Sequence, residues 1–465
     1  MKTKLKIKIP SDSHPFWVML QQFLARGLVA IKFLILARLL GPEGIGLISI
    51  ALVTLAFIEA VTELGFLQAV ISGKKELSES QKNAIWTTQT LRGIIISLLL
   101  FLGAKYIENI FKVDGTKEII TILAMVPITK NMVSINLYQF QRQRKFKDVA
   151  KLQIIASISD ITSSILFILL FNSAMGAIYG IFLSELIRTL LSHKMFKSKP
   201  KINFNFSSIK ELSSYGKWIW ANSISTLLFS QLDKVLASRY LGSGTLGFYQ
   251  MSQKFSQMGL YDLSFAYGQY IFPSISKLNR EENRKIADKF ISTYFIVWTM
   301  TTLFCILLMN NSYFLIKLLL GSQWLGMNNL FIMMIVSAGL AAILNVPIVF
   351  LRAIGKPDVV TKSSYIQLIL VIVISFLTIN IYKEFGLVIA SIVGFLYANT
   401  FLTYVIVKQF PMILKRIFFI TFVSIICLTI FSIILLSIKL MLLRFILSMI
   451  IVSSIAIIAT LRIRK

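Results

Sequence analysis

The sequence predicts an all-α polytopic membrane protein: two homologous six-helix lobes, pseudo-symmetric to each other, followed by an additional transmembrane helix pair. Three observations carry this. First, the 465 residues are 56% hydrophobic with mean hydropathy +0.77, and the apolar residues gather into runs of about 20, the length that crosses a bilayer as a helix. A soluble chain disperses them. Second, basic residues sit mainly between the runs. Third, the chain repeats itself about two hundred residues on, as internally duplicated transporters do. Residues 37–47 read A-R-L-L-G-P-E-G-I-G-L, and residues 238–248 read S-R-Y-L-G-S-G-T-L-G-F. Arg38, Leu40, Gly41 and Gly46 align with Arg239, Leu241, Gly242 and Gly247. The same offset pairs Trp17 with Trp218. Each half therefore opens with a long helix, a glycine hairpin and a second helix, the glycines supplying the positive φ of a tight turn.

Taken in order, fourteen runs are predicted helices. They span 16–36, 46–70, 84–106, 119–140, 152–171 and 176–191, then 218–241, 246–272, 290–309, 330–351, 359–381 and 387–407. The pair 417–437 and 442–461 lies outside the repeat. The basic, polar link 193–217 divides the halves, giving lobes 1–196 and 197–410 and an extra pair at 411–465. Pro127, Pro273 and Pro347 fall within or at the ends of runs, where kinks are expected. Met1–Pro10 carries Lys2, Lys4, Lys6 and Lys8, like a signal peptide. The run that follows is too long, holds Arg26 and Lys32 and lacks a small-residue cleavage site, so it reads as a retained first helix.

The formal charge of +28 would suggest nucleic acid in a soluble protein. Here Lys and Arg are roughly fourfold more frequent in the tails and the links after even-numbered runs, the positive-inside pattern, which places both termini in the cytoplasm and makes nucleic acid unnecessary. Cys305 and Cys427 lie inside apolar runs, against a structural disulfide. His14 and His193 have no metal-ligand spacing. No Walker loop, G-x-S-x-G or cofactor fingerprint is present. The chain reads as a non-enzyme without metal or cofactor. Energy must come from a gradient, with H+ or Na+ as candidate coupling ions, from a partner or from the substrate.

Charges inside the runs are the candidate functional residues, because each is costly to bury. Arg26, Arg92 and Lys130 lie near mid-membrane with no carboxylate one turn away. Together with Lys254 they are candidate ligands for an anion, and a diphosphate fits several converging cations best. Glu59 and Glu63 stack on one helix face and would repel. Either a basic residue of helix one answers them or one is protonated, which makes them candidates for ion coupling. Asp160, Asp233 and Lys234 join them as candidate gating or coupling residues. The repeat offset places Lys32 opposite Asp233, an expected outer gate between the lobes, with Lys234 a substitute partner for helix two. The ordinary alternative is that Asp233 and Lys234 satisfy their own neighbours. Glu185 and Arg188, three apart, are expected to form a local ion pair. Such charges fall mainly in the first eight helices, which are expected to line a water-filled cavity. Trp86, Trp218, Trp220, Tyr249, Tyr261, Tyr267 and Tyr270 suit either a glycan path or an interfacial aromatic belt.

L-G-P-E-G-I-G-L at 40–47 and T-E-L-G-F at 62–66 resemble motifs of bacterial polysaccharide flippases of the Wzx type. So do Q-R-Q-R-K-F at 141–146, L-D-K-V-L-A-S-R-Y-L-G-S-G-T-L-G-F-Y at 232–249, L-G-S-Q-W at 320–324 and A-I-G-K-P-D at 353–358. These belong to the multidrug/oligosaccharidyl-lipid/polysaccharide exporter superfamily, and the exporters associated with colanic and teichuronic acids look most similar. The resemblance implies alternating access in the bacterial inner membrane. The implied substrate is an undecaprenyl-diphosphate-linked oligosaccharide, destined for O-antigen, capsule or exopolysaccharide. It also implies a monomer that meets the bilayer and a polysaccharide polymerase or chain-length machinery. Many relatives have twelve helices. Lipid II flippases of the superfamily have fourteen, the extra pair building a groove for the lipid tail. A cation-coupled multidrug antiporter of the same fold is the alternative, though it would want a net acidic cavity. A non-transporting scaffold would leave the buried charges without purpose.

Overall fold

The computed structural model describes residues 12, 16–72, 77–205, 210–278, 283–436 and 446–448. Among them there are helices and no strands. The chain forms two compact units, Met1–Gly247 and Phe248–Lys465.

The first unit opens with α1 (Phe16–Val61), whose 46 residues are interrupted at Gly41 (φ 66°, ψ −174°). A straight helix of that length would run to about 69 Å, more than twice the hydrocarbon core. The break turns it into two. Its counterpart α9 (Lys210–Gly259) breaks at Gly242 with the same dihedrals (φ 83°, ψ 175°). Both fall in a region that is essentially glycine's alone, so the repeat read from sequence is also a repeat of backbone geometry. The second run is itself divided, α1 ending at Val61 and α2 (Phe66–Ser72) resuming after a turn at Gly65 (φ 70°).

A capping box, Ser78 with Gln81, starts α3 (Glu79–Phe111). Ile85, Gln89, Arg92, Ile96, Leu100 and Ala104 form its buried face, and Ile95, Leu98, Leu99 and Leu102 point outward. The run 119–140 is not one helix. It forms α4 (Thr116–Leu123), α5 (Val126–Asn131) and α6 (Asn136–Arg142). Pro127 sits in the first turn of α5, where a missing N–H costs least. The second break is braced from outside. Met132 O accepts from Trp86 Nε1 (3.0 Å) and lies 2.8 Å from His193 Nε2, while Ser192 Oγ accepts from Ser134 N (3.0 Å). α7 (Phe146–Phe171) and α8 (Met175–Met195) then pack backbone against backbone. A side chain on Gly176 or Gly180 would overlap the α7 chain at Phe167 or Ser164, the close approach that small residues permit between membrane helices.

In the second unit, α10 (Tyr261–Ser276), α11 (Asn283–Asn310), α13 (Asn328–Ala353), α14 (Pro357–Gln409) and α15 (Leu414–Leu436) share one core. Phe290, Phe350 and Phe410 meet edge to face at its centre. α13 is the interior helix, 78% of its most apolar window being buried, against 11% for α15. The 53 residues of α14 are broken at Lys383 (φ 51°). The expected link 310–329 holds a short α12 (Ser312–Leu319) and a 3-10 turn, Ser322–Met327. Its Trp324 is fully buried under Phe248. The predicted last helix, 442–461, lies almost wholly outside the described residues.

Among the described residues, eight helices are long and apolar enough to cross a membrane, or nine with the bent pair Thr116–Asn131 and Asn136–Arg142 taken as one. Two of the eight, Phe23–Val61 and Pro357–Gln409, contain the breaks at Gly41 and Lys383.

Candidate functional site

Among the described residues, the interior of the first unit holds three ion pairs between distant elements. Lys130 Nζ, on α5, donates to both oxygens of Glu59 on α1 (2.8 and 3.0 Å). Arg92 Nη2, on α3, lies 3.2 Å from Glu63 Oε2. Lys32 Nζ, on α1, lies 2.6 Å from Asp160 Oδ1 on α7. The expectation that Arg92 and Lys130 are unpaired cations is therefore corrected. A sequence window sees partners one turn away, and these are supplied by another helix. The carboxylates of helix two are likewise answered by α3 and α5, not by helix one.

The three pairs differ in what they do. Arg92 is an architectural brace. Its guanidinium also donates to the backbone oxygen of Glu59 (2.7 Å), Thr62 Oγ1 (3.3 Å) and Gln89 Oε1 (3.4 Å). It closes the C-terminal end of α1, where orphan carbonyls and the helix dipole favour a cation. Glu63 completes the joint by accepting from Leu64 N (3.1 Å) and Gly65 N (2.8 Å). The α1–α2 break is thus a built feature, and Thr62 and Gln89 are its members that composition alone does not single out.

Lys130 and Glu59 are the open pair. Their side chains are 39% and 23% exposed, against 7% for Lys32 and 9% for Arg92. Lys130 is thus the cation of the three that an outside group reaches most readily. Each pair is neutral, so an anion that takes Lys130 must displace a carboxylate or find it protonated.

Asp233 is not brought to Lys32, whose position is taken by Asp160. On α9, Asp233 Oδ1 accepts from Lys234 N (2.8 Å) and lies 3.6 Å from Lys234 Nζ, which donates to Ser230 O (2.6 Å). Repeat symmetry equates positions without requiring them to touch. Glu185 and Arg188 form the expected local pair at 2.8 Å. Lys254 is half-buried on α9 in the second unit. Arg26 lies on α1, its side chain outside the described part, as is that of Trp218. Among the aromatics, Trp86 and Trp220 commit their indole N–H to backbone, Trp220 donating to Val61 O (2.8 Å), and Tyr249 is buried.

An all-helical bundle with several apolar spans and ion pairs in its interior defines a class, the multi-pass membrane proteins. Residues 35–329 match the model of the polysaccharide biosynthesis protein family, more than half of the chain, and the chain belongs to that family. The lipopolysaccharide biosynthesis protein WzxC of Escherichia coli is 21% identical over 314 residues, covering 66% of this chain and 63% of that protein. The chain therefore matches less than two thirds of that relative's length. Among solved structures, the lipid II flippase MurJ in an inward closed conformation superposes with a TM-score of 0.72, at 15% identity, over 96% of this chain and 99% of that one. An inward-facing multidrug resistance MATE family transporter of the MOP superfamily gives 0.60, at 12% identity, over 84% and 98%. Both likenesses are of fold. The family expected from the motifs is the one that matches, and the chain is a multi-pass membrane protein with a MurJ- and MATE-like fold.

Proposed function

We propose that this protein flips an undecaprenyl-diphosphate-linked oligosaccharide from the inner to the outer leaflet of the bacterial cytoplasmic membrane, by alternating access. Fourteen helices then cross the bilayer, the breaks at Gly41, Gly242 and Lys383 each dividing a long helix into two crossings, and both termini lie in the cytoplasm. The observation that carries the reading is the Lys130–Glu59 pair. It is a cation in the interior of a membrane bundle, held by a carboxylate yet still partly open. Diphosphate competes with Glu59 for Lys130 through charge-assisted hydrogen bonds, and a proton on Glu59 offsets the loss of its partner. Binding of the anion and uptake of a proton are thereby linked. A cationic drug has no use for Lys130, and this argues against the antiporter reading.

Deletion of the gene, complemented by the wild type or by Lys130→Ala, tests the reading. Wild type restores surface polysaccharide, and Lys130→Ala, at the same membrane level, leaves lipid-linked glycan on the cytoplasmic leaflet. Normal surface polysaccharide in the deletion strain itself sinks the proposal.

A further inference from the structure

The two glycine hairpins that mark the repeat are packed on each other. A Cβ on Gly46 would overlap the carbonyl of Ser243, and a Cβ on Gly247 would overlap the carbonyl of Pro42. Pro42 and Ser243 hold the same place in the repeat, as do Gly46 and Gly247. The two contacts are therefore one contact made twice, related by a local two-fold, as at an isologous interface. Glycine is required at both positions by approach, not by turn geometry, since the positive φ values of the hairpins belong to Gly41 and Gly242. A glycine face lets backbones meet at a distance that no side chain allows.

We propose that these hairpins are a latch. They meet backbone to backbone to close one side of the protein, and they part whenever the interior opens to that side. This rests on the transporter reading, whose topology puts both hairpins on the outer face. It also relocates the outer gate expected from Lys32 and Asp233. Lys32 is engaged by Asp160, and the closing contact between these two helices lies beyond it, at their tips. The latch's strength comes from fit at two small patches, which suits a contact made and released in every cycle.

A Cβ on Gly244 would lie 3.6 Å from Glu43 Cγ, within reach of a disulfide. The test is Glu43→Cys with Gly244→Cys, in the full chain with Cys305 and Cys427 replaced by serine. Mild oxidation of membranes should cross-link the pair, stop glycan export and leave it recoverable by reductant. Adding Gly46→Ala or Gly247→Ala should abolish the cross-link. Gly27→Ala, whose Cβ would meet nothing within 4 Å, should not. The cross-link and its loss are read without any glycan, so this arm fails or stands separately from the flippase reading. Cross-linking that persists in both glycine variants overturns the close-approach claim. Cross-linked protein that exports at the uncross-linked rate overturns the latch.

Discussion

At the scale of single residues, Lys32, Arg92 and Lys130 inside the first unit are all paired, but for different ends. Arg92 makes four contacts, which tie α3 to the end of α1 and to the turn that follows it. Arg92→Ala strands the Glu63 carboxylate and the end of α1, a loss of about 3–5 kcal/mol for a broken buried pair. The expected outcome is low membrane abundance and a lowered melting temperature in detergent. Lys130→Ala touches a more open pair, so the fold is kept. The lost charge-assisted bond is worth about 1.5–3 kcal/mol, or roughly 10- to 100-fold in diphosphate affinity. Thermal shift with a soluble diphosphate separates the two. An Arg92→Ala protein as stable as wild type contradicts the brace. Lys32 and Asp160 predict a third result. The swap Lys32→Asp with Asp160→Lys recovers function lost in either single variant, whereas Lys32→Asp with Asp233→Lys does not. The identity of the charged residues was legible in the sequence, because a charge in an apolar run is conspicuous. Their partners were not. Glu59 and Lys130 are 71 residues apart, and tertiary packing, not spacing, brings them together.

At the scale of elements, the breaks were legible where a residue type forces them. The repeated Leu-Gly marked both hairpins, and Pro127 marked a division of the fourth run. The second break in that run has no local signal, since Trp86, Ser192 and His193 hold it from other helices. The break at Lys383 falls in the link read between the runs 359–381 and 387–407, although nothing local singles out that lysine for positive φ. The final helix pair was read as lying outside the repeat, and its first helix, α15, packs on the core of the second unit. Its Ile417 and Ile420, with Ile413 just before it, belong to the core of the second unit. Arg416 pairs with Asp288 (2.9 Å), Thr421 lies 3.3 Å from Tyr294 Oη, and Ser432 accepts from Asn310 (3.2 Å). Interhelical hydrogen bonds in membranes contribute about 0.6 kcal/mol each, and lost packing adds to that. Truncation after Phe410 should therefore insert, melt lower than the full chain and fail to flip. A truncated protein with wild-type melting and export would make the pair dispensable.

At the scale of the whole molecule, composition and the positive-inside bias already gave a polytopic helical protein, because bilayer thickness and backbone satisfaction leave few alternatives. What no sequence window supplies is the pairing of Lys32, Arg92 and Lys130 with distant carboxylates. On the proposed flippase reading, free cations would bind diphosphate and keep it, whereas an ion pair would let it in by exchange and let it go when the carboxylate returns. The most direct measurement is transfer of an undecaprenyl-diphosphate-linked oligosaccharide across reconstituted vesicles. An impermeant reagent reads the glycan on the outer leaflet, with wild type compared with Lys130→Ala. Rapid exposure of glycan is expected with wild type, faster under an imposed pH gradient of one sign, and little above protein-free vesicles with Lys130→Ala. Transfer at equal rates by both proteins would contradict this expectation, as would no transfer by wild type in vesicles where it moves a cationic dye.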